Sequence, residues 1–328
     1  MSRRRFIAGV VLAVTPLGAT ASAQEYKAQQ GGKTPRLGYV SSNRRLATAD
    51  AFEEGLRELG YRIGENILIE FRFGEGRVDR VPGLVEEMLR LRVDVLFAVN
   101  PYVIRVAKQA TNTVPIVGID LETDPIEAGW IRSLANPGGN LTGIFLDIPE
   151  LGGKQLQFVA DTVPRLQRVA ALWDAQVASS QFKALQTAAR TVRVELQSLA
   201  VRKPDEFVAA LEAARHQRAQ ALVVLSSPLV FQNLKRIADL ALQNRLPAIS
   251  IFPQFAEAGG LMGYGPNLLD INRRAAGYVD RILKGARPQD LPIQRPTAFD
   301  LVVNAKTARA LGLTVPTPLL LRANRVIE

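Results

Sequence analysis

One histidine, His216, and no cysteine make up the whole supply of the side chains that most often carry nucleophilic or metal chemistry. A Ser-His-Asp triad needs its imidazole beside the serine, yet His216 falls in Ala213-Ala214-Arg215-His216-Gln217-Arg218, at the polar end of a helical segment. The common Cys/His metal sites are excluded by count. Gly152-Gly153-Lys154 lacks the Gly-x-x-x-x-Gly-Lys-Ser/Thr spacing of a phosphate loop. Glu122 and Asp124 form a carboxylate pair that could do acid/base work, but nothing in the sequence raises either pKa. A hydrolase built on them is the enzyme reading. The chain is read instead as a non-enzyme, with no catalytic residue, metal or cofactor. What remains is the chemistry of binding, and its residues recur where strands end: Ser41-Ser42-Asn43, Asn100, Asp120 to Pro125, Asp147, Trp173-Asp174, Ser226-Ser227 and Ser250-Ile251-Phe252.

The elements that must position these turns follow from periodicity. Nearly continuous apolar runs at Arg36–Val40, Ile67–Phe73, Val95–Val99, Ile116–Ile119, Leu141–Phe145, Val169–Trp173, Ala221–Leu225 and Ala248–Ile251 read as strands. Between them, helical spacing predicts helices at Ala49–Leu59, Val81–Leu91, Leu151–Thr162, Phe182–Arg190 and Leu229–Gln243. Strands that are apolar on both faces belong to parallel sheets covered by helices, so the class is doubly wound α/β. One unit occurs twice: a strand, a polar turn with Pro101, a helix and then Val114-Pro115-Ile116; and a strand, a polar turn with Pro228, a helix and then Leu246-Pro247-Ala248. Two similar lobes are implied. Proline at a first helical turn fixes Asn100 and Ser226-Ser227 at the carboxyl ends of strands, the edge where open α/β sheets bind ligands. The same residues are also ordinary helix caps. Trp173 has two readings as well, stacking on an aromatic or cationic ligand or closing the rim of the core. Asn136-Pro137-Gly138-Gly139-Asn140 is read as a tight turn.

The N-terminus is read as an export leader: Arg3-Arg4-Arg5-Phe6-Ile7, a short apolar stretch to Val14, and Ala21-Ser22-Ala23 as the cleavage pattern, with cleavage after Ala23. The paired arginines fit the twin-arginine signature. With no stable membrane anchor and no cysteine for a lipid, a free periplasmic protein is expected. The precursor carries 41 basic and 31 acidic residues; without Arg3, Arg4 and Arg5 the balance is 38 to 31, or +7. These charges are dispersed, as in Glu53, Glu54, Arg57 and Glu58, so no nucleic acid partner is expected.

Several stretches together resemble the ABC-transporter substrate-binding family that includes tryptophan-binding-type proteins: Gly55-Leu56-Arg57-Glu58-Leu59-Gly60-Tyr61, Glu65-Asn66-Ile67, Val114 to Val117, Thr123-Asp124-Pro125, Ser133 to Gly143 and Ile282-Leu283-Lys284-Gly285. The likeness runs from about Pro35 to Glu328. It implies α/β architecture with two Rossmann-like lobes, parallel sheets and a three-crossover hinge, the type I periplasmic binding fold. A leader at 1–23 and a linker at 24–34 would precede a first lobe of 35–145 with 265–294 and a second of 146–264 with 295–328. The helix Ile271–Lys284 and the strand Asp300–Asn304 would then complete different lobes. The cleft-lining turns carry over as Ser41, Ser42, Asn43, Asn100, Tyr102, Thr123 and Asp124 on one side, and Asp147, Trp173, Asp174, Ser226, Ser227, Ser250 and Phe252 on the other. Capture of a small-molecule solute, amino-acid-like or aromatic, and delivery by a monomer to an ABC permease and its ATPase is the expected function. The alternative is a sensory binding protein reporting to a membrane kinase. The acidic Asp120-Leu121-Glu122 and the bulky Trp173-Asp174 depart from the amino-acid-binding pattern and open the door to a basic or aromatic solute.

Overall fold

The computed structural model describes residues 33–146, 148–177 and 179–328. The leader, most of the linker and Asp147 lie outside the described residues. In chain order the elements are β1 (Arg36–Ser41), α1 (Ala47–Glu58), β2 (Leu68–Phe73), α2 (Val81–Arg90), β3 (Val95–Val99), α3 (Pro101–Ala110), β4 (Ile116–Asp120), β5 (Leu141–Phe145), α4 (Ile148–Thr162), β6 (Arg168–Asp174), α5 (Ser179–Thr191) and β7 (Glu195–Val201). They continue with α6 (Phe207–His216), β8 (Ala221–Val224), α7 (Pro228–Gln232), α8 (Leu234–Gln243), β9 (Ala248–Ser250), α9 (Gln254–Glu257), β10 (Met262–Pro266), α10 (Leu268–Leu283), β11 (Phe299–Asn304), α11 (Ala305–Ala310), α12 (Thr317–Arg322) and β12 (Arg325–Ile327).

Two sheets result, ordered β2-β1-β3-β4-β5 and β12-β11-β10-β9-β8-β6-β7. The first is parallel throughout, and its strands β4 and β5 are buried at every residue, as apolar runs covered on both faces require. Its core is aromatic: Phe52 stacks on Phe97 at 4.2 Å, and the Tyr39 ring lies 5.1 Å from Phe97. In the second sheet β10 and β11 pair antiparallel, with Pro266 opposite Phe299. The remaining pairs are parallel. The exception follows from the path. β10 ends at the boundary between lobes, α10 packs on α1 of the first lobe, and the chain re-enters the second sheet at the same boundary, so it must run back the other way.

The three passages between lobes are bonded to one another. Phe145 donates its backbone N–H to Gln294, Gln294 donates to Gly143, Asn267 donates to Ala298, and the Asn267 amide reaches Asp300 at 2.9 Å. The Asn140-Leu141-Thr142-Gly143 stretch anchors this region. The Asn140 amide donates to the carbonyls of Thr111 and Val114, and Thr142 Oγ1 donates to Leu291. Gly143 has φ +140°, and a Cβ there would lie 2.0 Å from the carbonyl of Gly118 on β4. Only glycine permits that approach. The single helix expected over Leu229–Gln243 is broken into α7 and α8 at Asn233, whose φ/ψ of −117°/18° leaves the helical region and whose side chain bonds the Leu229 carbonyl.

Candidate functional site

Strand ends from both lobes meet at one place. After β3, Asn100 adopts φ 80°, accepts the Val103 N–H through its side chain and is followed by Pro101, so α3 starts at once. After β8 the counterpart is Ser227, which accepts the Val230 N–H ahead of Pro228. Each cap stabilises its helix by about 0.5–2 kcal/mol and aims a short polar side chain at the gap between lobes. Capping and site-lining are therefore not alternatives here: Asn100 and Ser227 do both.

The gap holds a cavity of about 80 Å3. From the first lobe it is lined by Asn43, Leu46, Thr48, Val99, Asn100, Ile119, Leu121, Glu122, Leu268 and Asn272. From the second come Ser227, Pro228, Phe231 and Phe252, with Phe231 and Phe252 edge to face at 4.8 Å. Hydrogen bonds hold the two sides together. Ser226 Oγ donates to Glu122 Oε1, Gln232 Nε2 donates to Asn43 Oδ1 at 2.9 Å, and the Tyr102 hydroxyl reaches Asp174 Oδ2 at 3.5 Å. Ser226 is itself gripped by Gln181, which accepts its N–H and donates to its carbonyl. The cleft is closed.

Of the residues expected from sequence, Asn43, Asn100, Ser227 and Phe252 line the cavity. Others stand one contact behind it. Ser42 accepts from Asn100 Nδ2, and Asp174 receives Tyr102. Ser41 Oγ accepts the Asn43 N–H, and Ser250 Oγ accepts the Phe252 N–H, each fixing a turn. Thr123 offers its backbone N–H to Asp120. Asp124 is exposed and accepts the N–H groups of Ile126 and Glu127, so it caps a surface turn and does not pair with Glu122. Trp173 turns away from the cavity: its indole stacks on Phe182 at 4.8 Å and donates to Ser198 Oγ at 2.9 Å. Of its two readings, the rim of the core is the one this geometry matches.

Glu122 belongs to the Asp120 to Pro125 turn but was not among the cleft residues carried over, and Phe231, Leu268 and Asn272 were not expected at all. The last two lie on α10, which reaches the cleft only because the chain crosses back, a fact no local spacing reveals. Glu122 is 4% exposed and Asp120 fully buried. Burial first, and the Asp120 carboxylate second, push the Glu122 carboxyl well above the usual range. Burial pushes Asp120 up to about 6, against the backbone N–H groups of Glu122 and Thr123, which favour its charged form. Among the described residues, no cluster of His, Cys, Asp and Glu is arranged to hold a metal ion, and no helix is long and apolar enough to cross a membrane.

The sequence profile of the ABC transporter substrate binding protein family matches residues 37–327. The chain is 23% identical to a "Tyrosine-binding protein" of Clostridioides difficile (strain R20291), over 80% of this chain and 75% of that one. A solved ABC domain from Streptococcus pneumonia in complex with L-Trp is 22% identical and superposes with a TM-score of 0.83, covering 90% of this chain and all of the other. A ligand-free, open substrate-binding protein with adhesive properties from Clostridium difficile is 22% identical, with a TM-score of 0.68 over 89% of this chain and 99% of that one. These solved structures share the type I periplasmic binding fold with the chain.

Proposed function

Because the chain belongs to the ABC transporter substrate-binding protein family, whose members bind ligands and are not enzymes, we propose that it captures a small organic solute, amino-acid-like or aromatic, between its lobes and delivers it to an ABC permease and its ATPase. The observation that carries the reading is the cavity at the closed cleft, lined from both lobes by apolar walls and a few fixed polar groups. A solute touching both Asn100 and Ser227 binds the closed state better than the open one, so it shifts the population toward closure. The tyrosine and L-Trp in the names of the relatives support an aromatic or amino-acid-like body. We place the lobes at 35–145 with 265–294 and 146–264 with 295–328, since α10 packs on the first sheet and β11 joins the second. The protein acts as a periplasmic monomer after the twin-arginine leader is removed near Ala23.

A thermal-shift screen of the full-length protein against amino acids, aromatic acids, aromatic amines and polyamines tests this. Stabilisation by mass action under one class of compound, recovered unchanged, is the expected result. A hit that is consumed, or no hit in any class at millimolar concentration, rejects it.

A further inference from the structure

The polar groups of the cavity are unevenly spent. Several donors at and just behind it are committed inside the protein: the Ser226 hydroxyl to Glu122, the Tyr102 and Ser227 hydroxyls to Asp174, and the Asn100 amide to Ser42. One acceptor in the lining is not. Asn272 is 3% exposed and lines the cavity, yet its Oδ1 meets no partner. The assignment of that atom is fixed, because Asn272 Nδ2 donates to the Leu268 carbonyl at 2.8 Å and a flipped amide would set two oxygens against each other. The ionisable group in the lining is the Glu122 carboxyl, and no Lys, Arg or His stands there to pair with a carboxylate brought by a ligand. The rest of the surface is apolar, with Phe231 and Phe252 offering ring edges and faces.

We propose that the solute is a protonated amine with an apolar or aromatic body and no carboxylate, its ammonium held between Asn272 Oδ1 and Glu122 and its body against Phe231 and Phe252. This rests on the solute-capture reading and narrows it. An ammonium has donors and nothing else, so it satisfies the unpartnered amide oxygen and, as a nearby positive charge, draws the Glu122 carboxyl to its ionised form in one contact. An α-amino acid would bring a carboxylate to a wall with no cation and a carboxyl already present, and a buried charge without a partner is costly.

Calorimetry on the full-length protein at neutral pH, with phenethylamine, phenylalanine and 3-phenylpropionate and with tryptamine, tryptophan and indole-3-propionate, decides it. The amine of at least one series should bind tenfold or more tightly than its amino acid, and the propionates should not bind. Glu122→Gln and Asn272→Leu should each weaken the amine at least tenfold while their thermal unfolding stays within a few degrees of the parent. A tighter amino acid or propionate overturns the inference alone, as does a hit without a basic nitrogen in the wider screen. A screen in which nothing binds overturns solute capture and this inference together.

Discussion

Ser226 on the second lobe donates its hydroxyl to Glu122 on the first, and Gln181 grips the Ser226 backbone from both sides. The bond is buried, crosses the cleft and ends on a carboxyl at the cavity wall. A buried hydrogen bond contributes about 0.5–1.5 kcal/mol, and more where its acceptor is charged. Ser226→Ala should therefore open the ligand-free chain, seen as a larger radius of gyration in small-angle scattering. An unchanged radius would show that the lobes are held by something else.

Asp120 gives a pH signature. Burial holds its folded pKa at about 6 against an ordinary 3.8, so the folded state retains a proton that the unfolded chain releases first. Stability from this group is complete below about pH 4 and is lost as pH rises through about 6. Asp120→Asn removes the titration and keeps an oxygen for the N–H groups of Glu122 and Thr123. The stability of the variant relative to the parent should rise by about 2 kcal/mol between pH 4 and 6.5 in urea unfolding. A difference that stays level across that range would exclude it.

Trp173 should matter to stability and not to affinity. Trp173→Ala removes the stack on Phe182 and the bond to Ser198, at a cost of about 1–4 kcal/mol. Whatever solute the screen finds should keep its affinity within about threefold. A tenfold loss of binding at unchanged melting temperature would return the indole to the site.

Gly143→Ala should be among the most damaging single changes in the first lobe. The new methyl meets the Gly118 carbonyl at 2.0 Å, on a backbone that side chains avoid. A loss of at least about 3 kcal/mol, or failure to accumulate as folded protein, is expected in thermal denaturation. A variant melting with the parent would mean that β4 and β5 can part without cost.

The legible parts of this molecule were those whose cause is local. Apolar runs gave β1, β3, β4 and β8 almost to the residue, and Asn100-Pro101 and Ser227-Pro228 marked helix starts because cap and proline act within one turn. β7 went unread since its edge position leaves Glu195 and Ser198 exposed along it, breaking the apolar run. β10 was hidden by glycine: a Cβ on Gly265 would lie 1.7 Å from the Ile251 carbonyl, so close packing removed the very side chains that signal a strand. In the site, turn chemistry found Asn43, Asn100, Ser227 and Phe252, whereas Asn272 owes its place to a helix that the first lobe borrows from far along the chain.

That borrowed helix also sets a timetable. α10 covers the face of β3, β4 and β5, but it begins at Leu268, about 120 residues after β5 ends at Phe145. At a synthesis rate of about 5–20 residues per second, the nascent first sheet waits roughly 6–25 s with that apolar face uncovered. Ordered emergence from the ribosome therefore cannot complete the N-terminal lobe before most of the second lobe is out. Both lobes reach completion nearly together, when the last third of the chain is out, and a chaperone has that interval in which to bind.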